Sequence, residues 1–172
     1  EKYLDAAYKV ADGIFDDQAI TKRVFPHQPE SDNLLAKAQA ARLNIENFAS
    51  KAFRRPVTQD EQVRLFTIVR DAWGQDVESD EIYKTVVVAV LTSPHFLFRI
   101  EKDPEPDDQD GIRSLDGFEL ASRLSYFLWS SMPDQRLFDL AKAGKLTQRE
   151  VLIAETQRML QDPKSKALAN NF

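Results

Sequence analysis

The run Glu119-Leu-Ala-Ser-Arg-Leu-Ser-Tyr-Phe-Leu-Trp-Ser-Ser-Met-Pro-Asp134 constrains the fold more than any other stretch. Leu120, Ala121, Leu124, Phe127 and Leu128 follow the i, i+1, i+4, i+7, i+8 spacing of a buried helix face. Glu119, Ser122, Arg123, Tyr126 and Ser130 form a second stripe, polar but with an aromatic in it. A helix that is apolar on one side and ion-paired on the other is a packing element first. Asp116 is its expected N-cap, with Glu119 at N3. Ser131-Met-Pro133 closes it and Asp134 opens another helix over 134–143, ended by Gly144.

The remaining periodicity is also helical. Residues 2–15 place Tyr3, Leu4, Ala7, Val10, Ala11 and Ile14 on one face, and residues 16–33 read as loop. Residues 33–53 predict a strong helix, ended by Arg54-Arg55-Pro56, because the residue before proline avoids the α region. Thr58-Gln-Asp-Glu61 and Thr147-Gln-Arg-Glu150 are both capping-box sequences, and Gly74 is the expected stop of the helix after the first. Residues 79–92 are apolar nearly all round and rich in β-branched side chains, so a strand competes. The length of the run and the helical spacing of its flanking charges favour a helix. Ser93-Pro94 breaks that helix, His95–Ile100 then reads as a short helical turn or extended segment with aromatic anchors, and Asp162-Pro163 as an N-cap and N1 pair.

The expected fold is therefore all-α, an irregular bundle of about seven or eight helices in two small subdomains packed together. Residues 1–32 read as the tail of a preceding domain plus a linker, 33–101 as a first helical domain, 102–115 as an acidic linker loop, and 116–172 as the start of a second, truncated helical domain. With no initiator Met and no terminator at its end, the chain reads as a piece of a longer protein.

Several chemistries are excluded by residue type. The chain has no cysteine, which rules out disulfides, thiolate metal sites, a Cys nucleophile and covalent c-type haem attachment within it. The net charge is −5, with basic residues interleaved among acidic ones, which argues against nucleic acid. No apolar run approaches the roughly 18 residues that span a bilayer. His27 and His95 are the only histidines, and neither has a ligand partner at helix spacing. The acidic run Asp103–Asp110 has the composition of a calcium loop but not its spacing, since Pro106 and Gly117 fall where acids are required. There is no Gly-x-Ser-x-Gly and no phosphate-binding Gly loop. No catalytic, metal-binding or cofactor-binding residue is singled out.

Two ion pairs stand out: Arg99 with Glu101, and Glu119 with Arg123 at i,i+4. They tie the short aromatic segment to the central helix and so join the two domains, or they line a ligand site beside Tyr126 and Trp129. Arg54-Arg55 caps its helix or meets an acidic partner. Trp73 and Trp129, if exposed, would suit carbohydrate binding.

Three segments carry a resemblance: Phe48-Ala-Ser-Lys-Ala-Phe53-Arg-Arg-Pro-Val-Thr-x-x-Glu61, Ser93-Pro-His-Phe-Leu-Phe-Arg-Ile-Glu101, and Glu119–Asp134 with Leu140-Ala-x-x-Gly-Lys-Leu146 and Arg158-Met-Leu-x-Asp-Pro-Lys-Ser165. Together they resemble two consecutive uncharacterised helical domains of large planctomycete proteins that also carry c-type cytochrome modules. The resemblance covers roughly residues 34–172, and residues 1–15 resemble the tail of the domain that precedes them. It implies a secreted or periplasmic multidomain protein, proximity to haem electron transfer and a setting in polymer breakdown. Haem c would sit elsewhere in the parent chain, and the partners would be neighbouring domains of that chain, a cytochrome c module among them. The functional expectation is a non-catalytic module that scaffolds or docks a haem domain. The alternatives are part of an oxidoreductase or polysaccharide-active enzyme completed by other domains, and a carbohydrate-binding module.

Overall fold

The computed structural model describes residues 1–73, 75, 77–98 and 113–171. All regular structure among them is helical: α1 (Lys2–Phe15), α2 (Gln18–Val24), α3 (Leu34–Phe53), α4 (Gln59–Ala72), α5 (Ser79–Leu91), α6 (Pro94–Leu97), α7 (Gly117–Trp129), α8 (Gln135–Lys142), α9 (Arg149–Gln161), a 3₁₀ turn over Pro163–Ser165, and α10 (Lys166–Asn171). The all-α expectation holds. The chain divides into two compact units, Glu1–Phe98 and Arg99–Phe172.

The first unit is built around α5. Its β-branched valines are tolerated in a helix because burial on several sides outweighs their weak helix preference. Ile82, Val86 and Val90 join Ala41, Ile45, Ala49, Phe53, Val57 and Val69 in one core. Val87 and Val88 face a second core with Ala7, Ala11, Ile14 and Phe25. Small residues on α1, with Ala7 and Ala11 3% and 0% exposed, let that helix lie against α5. Residues 1–32, read from sequence as tail and linker, thus lie within the same compact unit as residues 33–98.

The stretch 16–33 is not all loop. Asp17 caps α2 by accepting from the amides of Ala19 (2.8 Å) and Ile20 (3.3 Å). Helix α2 has only seven residues and no buried one, so it leaves no periodic stripe in the sequence. The capping box at Thr58 forms as expected. Gly74, the expected stop of α4, lies outside the described residues.

In the second unit, Ala121, Leu128, Trp129, Leu137, Ala141, Leu146 and Met159 make the core. The buried face of α7 differs from the expected one. Phe127 is 55% exposed, whereas Ser125 and Trp129 turn inward at 0% and 3%. Gly117, Ala121 and Ser125 sit four residues apart and form a small-residue stripe. At its head, a Cβ on Gly117 would stand 3.0 Å from the Ala141 backbone, so α7 and α8 touch main chain to main chain. Helix α8 ends as expected at Gly144 (φ +66°): the Gly144 amide donates to Ala141 and the Lys145 amide to Leu140, a Schellman pair. The second Thr-Gln-x-Glu sequence does not form a capping box. Leu146 is drawn wholly into the core, Thr147 is held in the turn, and α9 starts one residue late on Gln148 with no side-chain cap.

Candidate functional site

The residues singled out on α7 are spread along the helix. Glu119 is in the first turn and Trp129 ends the helix, ten residues or about 15 Å along the axis. Trp129 is buried. Its Nε1 donates to the Met159 carbonyl at 2.9 Å, and Arg158 and Lys164 lie over its ring at 5.5 and 4.7 Å. No open indole face is left there for a sugar. Arg123 is exposed and Tyr126 half-buried. Arg99 and Glu101 lie outside the described residues, and with them the expected tie to the Glu119/Arg123 face.

Glu119 is instead the centre of a local clasp. Asp116 and Glu119 form the expected capping box at the start of α7. Arg113 grips the same carboxylate with both guanidinium ends, Nη1 to Oε2 at 2.7 Å and Nη2 to Oε1 at 2.9 Å. Its Nη1 also donates to the carbonyl of Ser114. Glu119 is 9% exposed, and the clasp is what makes burying its charge tolerable.

The first unit repeats this device atom for atom. Arg55 grips Glu61 at 2.9 and 2.7 Å, Glu61 accepts from the Thr58 amide at 2.8 Å, and Arg55 Nη1 donates to the carbonyl of Pro56. The shared pattern is an arginine six residues before the N3 glutamate of a capping box. The Arg55 bond pulls the Glu61 carboxyl down to about 2; the Thr58 amide and the Arg55 charge add to this against the opposing effect of burial. His95 Nε2 stands 3.3 Å from Glu61 Oε1.

Arg54, beside this clasp, is 6% exposed and takes the left-handed conformation (φ 60°) that ends α3. Its guanidinium donates to the carbonyls of His95 (2.8 Å), Phe96 (3.2 Å) and Phe98 (2.8 Å). The Phe48–Glu61 and Ser93–Phe98 motifs, distant in sequence, therefore meet at one junction. Arg54 serves the end of its own helix through its backbone, as expected, and the α6 segment through its side chain.

A third cluster was not visible in the sequence. Glu155 is 1% exposed, yet it is held by Arg136 (2.8 Å) and Arg158 (2.7 Å), and Arg158 continues to Asp134 (2.9 Å). Burial pushes the Glu155 carboxyl up, but the two arginine bonds outweigh it and hold it below the ordinary value. The pairs run between α8, α9 and the Asp134 cap, at separations with no periodic signature. Only Glu155 to Arg158, at i,i+3, is a helix-face pair that spacing could suggest. Among the described residues, no three His, Asp or Glu side chains gather so as to hold a metal ion. None of the helices is long and apolar enough to cross a membrane.

The first unit also holds a cleft of about 260 Å³. Its floor is Ala40, Ala41, Val69 and Ile82; its walls include Phe25, Trp73 and Tyr83. One rim is the loop after α2, fixed by Asn44. That side chain, 3% exposed, accepts from the His27 amide (3.0 Å) and donates to the His27 carbonyl (2.9 Å) and to the Tyr83 hydroxyl (3.3 Å). Trp73 is half-buried, edge-on to Phe66.

No curated protein and no solved structure matches the chain significantly. Residues 40–101 match the model of the PSD5 family, a protein of unknown function (DUF1595), which spans the Arg54/Glu61 junction. Residues 115–172 match that of the PSD4 family, a protein of unknown function (DUF1592), which takes in α7 to α10. The chain carries these two uncharacterised helical domains in succession, DUF1595 and then DUF1592.

Proposed function

We propose that this chain is a non-catalytic helical module of a larger extracytoplasmic protein, periplasmic or secreted, and that it scaffolds or docks a c-type haem domain of the same polypeptide. One observation carries the non-catalytic reading: the buried carboxylates are occupied in building the fold. Glu61 and Glu119 are each closed by a bidentate arginine and a backbone amide, and Glu155 by two arginines. A general acid or base works best with a pKa near the operating pH, and Glu61 at about 2 is far from it. The haem partner is supported by the likeness of the three motifs to domains found beside cytochrome modules. With no cysteine in this chain, the haem itself would be attached elsewhere. The test is the full-length protein with and without residues 1–172. The expected result is a Soret band retained in both forms, with the haem domain melting at a lower temperature when the module is missing. A lost Soret band, or a haem domain indifferent to the deletion, would overturn the proposal.

A further inference from the structure

We infer that the cleft of the first unit is a binding site for a small phenolic molecule, one aromatic ring carrying a hydroxyl. Size comes first. An apolar cavity of about 150 Å³ is enough for benzene, and drug-sized ligands take roughly 300–1,000 Å³. At about 260 Å³ this cleft suits a single ring with a short substituent.

Chemistry then narrows the class. Ala41, Val69 and Ile82 are 1%, 1% and 3% exposed, and with Ala40 they give the floor no side-chain hydrogen-bonding group. Two adjacent alanines on α3 are what leave the space open. Phe25 and Tyr83, with ring centroids 4.7 Å apart, form an aromatic wall, and Trp73 adds a third ring to the lining. The lining also holds polar side chains, Thr21, His27, Gln28 and Ser79 among them; it is the alkyl floor, where a sugar hydroxyl would find no side-chain partner, that favours an aromatic ring.

Tyr83 supplies the polar contact. Its hydroxyl accepts a hydrogen bond from Asn44, so its own proton remains to be given to a ligand oxygen. Asn44 has no N–H left to give a ligand oxygen, since its two go to Tyr83 and to the His27 carbonyl. That commitment also fixes the rim before anything binds, which lowers the cost of ordering the site. At the rim, Lys37 and Asp80 are of opposite sign, so the entrance does not select for a charged ligand.

The experiment titrates the whole chain with p-cresol, toluene and methyl glucoside, following the Trp73 indole and the Ala40 and Ala41 methyl groups by NMR. p-Cresol should shift all three probes and bind about fivefold more tightly than toluene, the difference one neutral hydrogen bond makes. Tyr83→Phe should remove that preference, and Ala40→Leu, which fills the floor, should abolish both complexes. Circular dichroism and thermal melting check that each variant is folded. No cleft shifts with p-cresol in the wild type, or tighter binding of methyl glucoside, would overturn the inference. Shifts confined to residues outside the cleft would do the same. If either variant fails to fold, the wild-type contest among the three ligands decides alone.

Discussion

At the scale of single residues, the molecule spends its buried charge on structure. Glu61 illustrates the sign of the effect. Its carboxyl is drawn from the ordinary 4.5 to about 2 by Arg55, so the folded state holds fewer protons than the unfolded one between those values. The stabilisation is complete above about pH 4.5 and is lost as pH falls towards 2. Glu61→Gln should therefore cost roughly 1.5–3 kcal/mol at pH 7, the range for a hydrogen bond to a charged group. The gap between variant and wild type should close as the pH is lowered through that window. Urea unfolding at pH 7, 4 and 2.5 measures it; a gap that persists unchanged at the lowest pH would contradict the assignment. Both capping boxes that carry a clasp were legible as Thr58-x-x-Glu61 and Asp116-x-x-Glu119. The arginines were legible too, once the six-residue spacing is known. The failing Thr147 box has Gly144 where the arginine would stand.

At the scale of elements, the sequence spoke clearly wherever a helix was long, and poorly where a helix was short or tertiary burial decided. The run on α5 is rich enough in β-branched residues for a strand to compete, but its length and the spacing of its flanking charges pointed to the helix that the structure has. Helix α2 was missed because its seven residues turn only Ile20 and Val24 towards the core, too few to show a period. Phe127 was placed inward by hydropathy, but α7 approaches α8 closely at Gly117, packs Ala121 with Leu137 and Ala141, and buries Ser125 while Phe127 turns out. The α3–α6 junction could not be read at all, since Arg54 reaches carbonyls more than 40 residues away. It also sets two demands against each other. The left-handed backbone at φ 60° costs a non-glycine residue about 1–2 kcal/mol, while three charge-assisted hydrogen bonds return more than that. Arg54→Gly should thus destabilise the first unit by about 2 kcal/mol or more and speed amide exchange over 96–98. A glycine variant as stable as the wild type would mean that relief of the backbone matches the lost bonds.

At the scale of the whole molecule, each unit has its own core, and the first unit includes its N-terminal helices. Val87 and Val88 are 0% and 7% exposed, packed in the core that α1 closes. A chain starting at Leu34 should lose about 3 kcal/mol or more, from two valines worth roughly 1.5–3 each when fully buried. Denaturant titration of the shortened chain against the full one tests this. Equal stability would favour the reading of residues 1–32 as the tail of a preceding domain plus a linker. The resemblance to two consecutive uncharacterised helical domains agrees with the two family matches, because it rests on long motifs; the extent of the first compact unit is set by packing, which those motifs do not encode. Helix α5 has a further consequence. It contacts α1, α3, α4 and α6, so the departure of any one neighbour still leaves it covered by the others. Its amides should then open only when the whole unit does. The slow exchange of Val86 to Val90 with solvent deuterium should therefore report the unfolding free energy of the entire first unit, and label its last region to open.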